Sequence, residues 1–224
     1  LVMRMTAEDR DRVTAAVTAA EAGTDGEIVT VVARASDAYH DVALHWTLLV
    51  MLLVVALLAT FPVAIERVHL LVDPWAPVVS IRATLTIALF LVAITFLACR
   101  GIFAWRPLRL ALTPGATKSR RVRARALAIF RAAAEKRTIG STGVLLYLSL
   151  DERRAEIIAD AAIHDRVPDA TWGAAMAALV GPLREEHPAD GMAAAVGQIG
   201  LVLGEHFPRT PGDINELPDR LIIL

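Results

Sequence analysis

The sequence has a single cysteine, Cys99, and this scarcity excludes several classes of protein. One thiol cannot form an intrachain disulfide, and it cannot supply a cysteine-based metal cluster. The six histidines show no zinc-binding spacing such as H-E-x-x-H. The G-x-S-x-G, P-loop, Cys-x5-Arg and G-x-G-x-x-G patterns are also missing. No familiar catalytic or cofactor-binding motif therefore indicates an enzyme.

Acidic side chains are almost missing from residues 100–137, where Glu135 stands alone among many arginines. The net charge of the whole chain is only −1, so the basic segment reflects uneven placement of charge. By the positive-inside rule, segments rich in Arg and Lys stay in the cytoplasm. Segment 66–82 has only Arg67 and Arg82 as basic residues, so we expect it on the outer side.

Two apolar runs without charge, residues 46–65 and 83–99, account for much of the 55% apolar content. A helix rises about 1.5 Å per residue, so each run is long enough to cross a hydrocarbon core of roughly 30 Å. The sequence therefore predicts a transmembrane hairpin over residues 44–106 in a bacterial cytoplasmic (inner) membrane. No cleavable signal peptide is expected, because the first 40 residues are polar and carry acids.

The remaining residues show the periodicities of an α/β protein. Thr6 and Asp9 predict a capped helix over 6–21, and Glu27–Ala33 is rich in β-branched residues typical of a strand. The later segments are a helix at 118–136, strands at 144–150 and 155–159, and helices at 172–183 and 192–207. This order predicts a layered α/β sandwich with a small mixed sheet flanked by helices.

The predicted hairpin divides this sandwich. Glu27–Ala33 precedes the hairpin and the other strands follow it, and a lone strand is not stable. We therefore expect Glu27–Ala33 to pair with 144–150, so that segments 1–43 and 107–224 form one cytoplasmic domain. The two ends of the hairpin should lie close together, with the basic helix along the membrane face.

Several local motifs occur in a fixed order: TDGEIVTVV at 24–32, KRTIGSTGVLLYLS at 136–149, the turn Asp151-Glu152-Arg153, and a helical pair ending at Phe207-Pro208. Together they resemble the TPM domain family. Leu112-Thr113-Pro114 and residues 215–219 also fit the bacterial membrane-protein branch of that family, which has an inserted hairpin.

The resemblance implies a Rossmann-like sandwich. It also implies either an acid phosphatase activity with divalent metal, or a role in assembling, repairing or assisting membrane proteins. Residues 160–165 lack the glycines typical of the family at this turn. Their absence disfavours a close approach of the backbone to a phosphate or a metal ion.

Acidic residues are densest near the ends of the later strands. Carboxylates suit Ca²⁺ or Mg²⁺, and ligands in open α/β sheets bind beyond the carboxyl ends of strands. Asp151, Glu152 and Asp160 are therefore the candidate metal ligands. The alternative is that Asp151 and Glu152 only form a turn. Glu27 is expected at the surface, and His164 is a weaker acid/base candidate beside Asp160 or Asp165.

The basic helix carries four closely spaced arginines: Arg120, Arg121, Arg123 and Arg125. They are interpreted as a solvated face that also contacts anionic membrane lipid. Nucleic acid is not an expected partner, because aromatic residues are not interleaved with the arginines.

Two functions remain open from the sequence. The first is a membrane-anchored module that binds another membrane protein or assists its assembly. The alternative is a divalent-metal-dependent phosphatase that uses Asp151, Glu152 and Asp160. Convergence of these carboxylates in one cleft would favour the enzyme.

Overall fold

The computed structural model describes residues 5–75, 78–133, 142–211 and 219–224, which divide into two compact units. The first, here called the sandwich unit, combines Leu1–Asp37 with Gly115–Leu224. The second, the hairpin unit, is Ala38–Pro114. The sandwich unit is thus built from the two ends of the chain.

The helices and strands are numbered in chain order. The helices are α1 (Ala7–Glu21), α2 (His40–Thr60), α3 (Val63–Val72), α4 (Ile81–Ile102), α5 (Arg106–Leu112), α6 (Gly115–Ala133), α7 (Ala161–His164), α8 (Gly173–Arg184) and α9 (Pro188–His206). The strands are β1 (Glu27–Ala33), β2 (Gly143–Ser149), β3 (Arg154–Ala159) and β4 (Ile222–Ile223), and a 3-10 turn covers Asp169–Trp172.

The sheet has the strand order β3-β2-β1-β4. β1 and β2 are parallel, in a register that runs from Glu27 opposite Gly143 to Ala33 opposite Ser149. β3 is antiparallel to β2, and β4 is parallel to β1. The predicted pairing of the strand before the hairpin with the strand after it is confirmed.

Helices cover both faces of the sheet. Ile28 and Val32 of β1 belong to a core formed with α1, α8 and α9. Val29 and Val31 point to the other face, where they share a core with Phe130 of α6. Because neighbouring side chains alternate between faces, each central strand is apolar on both sides. The predicted α/β sandwich is confirmed.

The hairpin unit contains two helices that are long and apolar enough to cross a membrane. The mean hydropathy of their most apolar windows is 2.5 for α2 and 2.2 for α4, and only 11% and 6% of these windows are buried. α2 stops at Thr60, before the end of the apolar run 46–65, and Pro62 precedes the next helix. The expected proximity of the hairpin's ends is also found: Nη1 of Arg109 lies 3.0 Å from Nδ1 of His40.

Some elements differ from the predictions. Segment 66–82 was expected to be a plain connection, but α3 extends into it. The apolar end of the chain, for which no element was predicted, forms the short edge strand β4. The predicted end of the basic helix at 136, and the segment 215–218, lie outside the described residues.

Candidate functional site

The carboxyl ends of β1 and β2 are joined by the buried side chain of Glu152, which is 7% exposed. Its Oε1 accepts a hydrogen bond from the backbone N–H of Ser36 at 2.9 Å. Its Oε2 accepts a short hydrogen bond from the hydroxyl of Ser149, the last residue of β2. The carboxylate therefore ties the segment after β1 to the turn after β2.

Tyr147 extends this polar network. Its hydroxyl and that of Ser36 are 3.0 Å apart, within hydrogen-bonding distance. Burial raises the pKa of Tyr147, the bond with Ser36 opposes that rise, and the nearby Glu152 charge adds to it. The phenol consequently stays neutral at physiological pH.

Asp151 lies at the rim of the same edge. Its Oδ2 is 3.8 Å from Nε of Arg34, and its backbone N–H donates to the carbonyl of Arg34 at 2.9 Å. The Arg34 side chain is 61% exposed, so this ion pair is screened and adds little stability. The position of Asp151 agrees with the alternative prediction, in which it is a turn residue.

Asp160 does not join Asp151 and Glu152. It follows β3, and β3 runs antiparallel to β2, so it returns to the amino end of β2. There the Asp160 carboxylate accepts from the backbone N–H of Gly143 at 3.3 Å. Seven strand residues at about 3.3 Å each separate the two ends of the sheet by roughly 20 Å. The expectation that Asp160 lies at the carboxyl end is corrected.

The amino end of β1 has its own buried acids. Glu27 is 5% exposed, so the expected surface position was wrong. Glu21, at the end of α1, accepts from the backbone N–H of Ile28 at 2.7 Å. Burial raises the pKa of Glu21 to about 8, the Ile28 bond opposes this, and the charges of Glu27 and Asp219 raise it further. Glu21 is therefore largely protonated at neutral pH.

The predicted metal ligands do not fit a single divalent ion. Asp160 is at one end of the sheet, and both Glu152 oxygens accept hydrogen bonds from the protein at the other. Within the described residues, no group of three or more His, Cys, Asp or Glu side chains is arranged to hold a metal. Ca²⁺ takes six to eight oxygen ligands, more than the two carboxylates of Asp151 and Glu152 can supply.

The four arginines of α6 differ in their surroundings. Arg121 donates to Asp37 at 2.8 Å, whereas Arg120, Arg123 and Arg125 are exposed. Burial raises the pKa of Glu156 in β3, and the Arg123 charge lowers it. Part of the basic face thus forms ionic contacts within the sandwich unit, and its contact with lipid stays a prediction.

His164, the weaker acid/base candidate, is exposed on α7.

Sequence reasoning missed Ser36, Ser149 and Tyr147. Ser149 and Tyr147 are the two residues with a hydroxyl in the otherwise apolar run 144–150. Polar groups inside a strand that is buried on both faces need partners, so this pattern was the available signal. Ser36 gave no comparable signal, because it lies in a polar loop.

The architecture defines a class: an α/β sandwich whose first and second strands are separated by an apolar helical hairpin. Residues 111–202 match the family model described as TPM domain, which confirms the predicted resemblance over that part of the chain. The match includes β2, β3 and α8, whereas β1 precedes it. No curated protein matches the sequence.

A solved structure supports the fold across the whole chain. The chain is similar to the NMR structure of the BA42 protein from the psychrophilic bacterium Bizionia argentinensis, with a TM-score of 0.57. The similarity covers 98% of this chain and 95% of BA42, at 17% sequence identity. At that identity the likeness concerns the fold alone.

Proposed function

We propose that this protein is a membrane-anchored TPM-like module, whose sandwich unit binds other membrane proteins or assists their assembly on the cytoplasmic side. The exposed apolar surface of the hairpin unit carries this proposal. Side chains such as Leu52 (59% exposed), Leu89 (68%) and Phe90 (63%) point away from the unit. Burying such surface in lipid contributes about 25 cal/mol per Å², so a bilayer suits it far better than water.

The sheet adds a constraint on the topology. β1 precedes the hairpin and pairs along its full length with β2, which follows it. Two paired strands must be on the same side of a bilayer, so a hairpin of two crossings is consistent with the fold. The excess of arginine after α4 favours the cytoplasmic side.

The polar network supports a binding role over catalysis. Both carboxylate oxygens of Glu152 accept hydrogen bonds from protein donors. They therefore stabilise the fold and are not presented to a ligand in an open cleft. The apolar Leu201 of α9 is 68% exposed and Val180 of α8 is 39% exposed. Leu201 lines a groove with Ala16 and Gly197, and a partner protein can bury apolar area there.

Single cysteines test the anchoring and its orientation. In a Cys99→Ala background, one exposed residue is changed in each variant: Ala22→Cys, Val78→Cys or Glu205→Cys. In spheroplasts we expect a membrane-impermeant maleimide to label Val78→Cys, and to label the other two only after permeabilisation. Labelling of Ala22→Cys and Glu205→Cys from opposite sides would contradict both the anchor and the topology.

Two further measurements test the role. A photo-crosslinker at position 201 should trap integral membrane proteins in intact cells, and a crosslinker on the exposed Asp11 of α1 serves as the comparison.

The full chain in nanodiscs should not hydrolyse p-nitrophenyl phosphate with Mg²⁺ or Ca²⁺. Turnover that is lost in Asp151→Asn would replace the binding role with a metal-dependent phosphatase.

A further inference from the structure

A groove of about 810 Å³ opens in the hairpin unit, where α2 begins and α4 ends. Its walls are largely apolar and include Leu44 of α2 together with Phe96 and Leu97 of α4. The two chain ends of the hairpin unit meet here, so with the proposed anchoring this groove lies at the level of the lipid headgroups. Trp46 and Trp105, both exposed, are near it in the sequence and are typical of that level.

Cationic groups line the same groove. Arg109 of α5 is 7% exposed, and its Nη1 donates to Nδ1 of His40 at 3.0 Å. A guanidinium can only donate, so Nδ1 of His40 is the acceptor of this bond. Arg100, in the last turn of α4, adds a second and exposed guanidinium. None of the described residues that line the groove is acidic.

Arg109 also has an unsatisfied donor. Its Nε is buried and has no hydrogen-bond partner among the described residues. A buried guanidinium needs an acceptor or a counter-charge, and the bond to His40 supplies one acceptor. Because the Arg109 side chain lines the groove, its positive charge favours an anionic ligand there.

We propose that this groove binds one anionic phospholipid, whose phosphate contacts Arg100 and Arg109 while an acyl chain lies against Leu44 and Leu97. Guanidinium groups are well suited to phosphate oxygens, and the apolar walls favour a lipid over a free phosphate ion. The proposal rests on the membrane anchoring proposed above. It differs from the contact expected for the arginines of α6, because it assigns a discrete site in the hairpin unit.

Native mass spectrometry of the full chain in detergent tests the site. Phosphatidylglycerol and phosphatidylcholine are titrated in parallel, and we expect one molecule of phosphatidylglycerol to be retained preferentially. Arg100→Gln should weaken that retention by roughly tenfold or more. Arg82→Gln is the matched control, because it removes the same charge from an exposed position at the opposite end of α4. Arg109→Gln is informative only if its circular dichroism matches the wild type.

The results of these experiments distinguish failure of the lipid site from failure of the proposed membrane anchoring. Loss of phosphatidylglycerol in Arg100→Gln, with normal retention in Arg82→Gln, supports the site. Equal retention of both lipids, or an Arg100→Gln variant that behaves as the wild type, overturns it. Displacement of the lipid by millimolar inorganic phosphate would overturn the lipid assignment in favour of a phosphate site. If the wild type fails to float with liposomes, the anchoring fails instead.

Discussion

At the scale of single residues, loss of the Glu152 side chain should destabilise the sandwich unit. Glu152→Ala leaves the backbone N–H of Ser36 and the buried hydroxyl of Ser149 without their acceptor. Hydrogen bonds to a charged group contribute about 1.5–3 kcal/mol each, so we expect a loss of about 3 kcal/mol. Thermal unfolding followed by circular dichroism should show a lower midpoint.

Glu205→Ala is the control for that measurement, because Glu205 is an exposed acid near the end of α9. It removes the same charge without breaking a buried bond, so its midpoint should change little. A Glu152→Ala protein as stable as Glu205→Ala would show that the buried network contributes nothing.

The protonation of Glu21 should make the folded protein less stable as the pH rises. Its pKa is raised by burial from 4.5 to about 8 in the folded protein, so the folded state holds a proton that the unfolded state releases. This contribution is complete below pH 4.5 and is lost as the pH rises toward 8. Stability should therefore fall across that interval.

Glu21→Gln should remove this dependence. The Gln side-chain oxygen still accepts from Ile28, and its amide takes the place of the protonated carboxyl. We expect the difference in unfolding midpoint between variant and wild type to grow from pH 5 to pH 8. Glu8→Gln, at an exposed position, is the control. Parallel pH profiles for Glu21→Gln and wild type would refute the assignment.

Individual site residues were only partly predictable. Glu152 was singled out from its place after an apolar strand, but its burial depends on Ser36, more than a hundred residues earlier in the chain. Asp160 was assigned to the wrong edge because the turn at 151–153 sends β3 back along β2, and the consequence of that reversal for the residue after β3 was overlooked. Glu27 was expected at the surface because its burial depends on neighbours from distant segments.

At the scale of elements, α1 and α9 approach each other closely at Gly200. A Cβ atom there would lie 2.6 Å from Cβ and 3.0 Å from Cα of Ala20. Gly200→Ala must push the helices apart, and such overpacking costs about 1–3 kcal/mol. We expect a lower unfolding midpoint.

Gly197, one turn earlier in the same helix, provides the matched control. A Cβ atom there meets nothing within 4 Å. Gly197→Ala should stabilise the helix by up to about 1 kcal/mol, because alanine has the higher helix propensity. The two substitutions should thus shift the midpoint in opposite directions, and shifts of the same sign would contradict the packing described here.

The edge strand β4 protects β1. The backbone N–H of Leu224 donates to the carbonyl of Val32 at 2.9 Å. Leu224→Pro removes that donor, whereas Leu224→Ala keeps it and trims a side chain that is 52% exposed. We expect Leu224→Pro to be less stable by about 1 kcal/mol and more prone to aggregate, since an uncovered strand edge pairs with other chains. Light scattering that does not distinguish the two variants would contradict this role.

The elements with strong periodicity were predictable from the sequence. β1 was predicted with its observed bounds, and α8 and α9 follow their apolar stripes. β4 was missed because it has only two residues and depends on β1 as its neighbour. α3 was missed because Pro62 suggested an end rather than the start of a new helix, although proline suits the first turn of a helix.

At the scale of the whole molecule, the sandwich unit should fold without the hairpin. Asp37 and Arg121 are joined by an ion pair of 2.8 Å, so Asp37 lies near the start of α6. A Gly/Ser linker of about ten residues spans roughly 15–20 Å, enough to replace Ala38–Pro114.

This shortened protein should be soluble without detergent and should unfold cooperatively in urea. Its matched control carries Glu152→Ala in the same background, and that variant should unfold at lower urea. A shortened protein that aggregates or lacks a cooperative transition would show that the sandwich unit requires the hairpin unit.

The parallel pairing of β1 with β2 has a consequence for synthesis. β1 leaves the ribosome first, but its partner is more than a hundred residues further along the chain. At 5–20 residues per second, β1 waits for several seconds or longer while the intervening segment is made. With the membrane anchoring proposed above, the apolar helices are inserted during that interval. On that proposal the sheet can close only after insertion has returned the chain to its starting side, so a complete sheet indicates that both ends of the hairpin are on one side of the membrane.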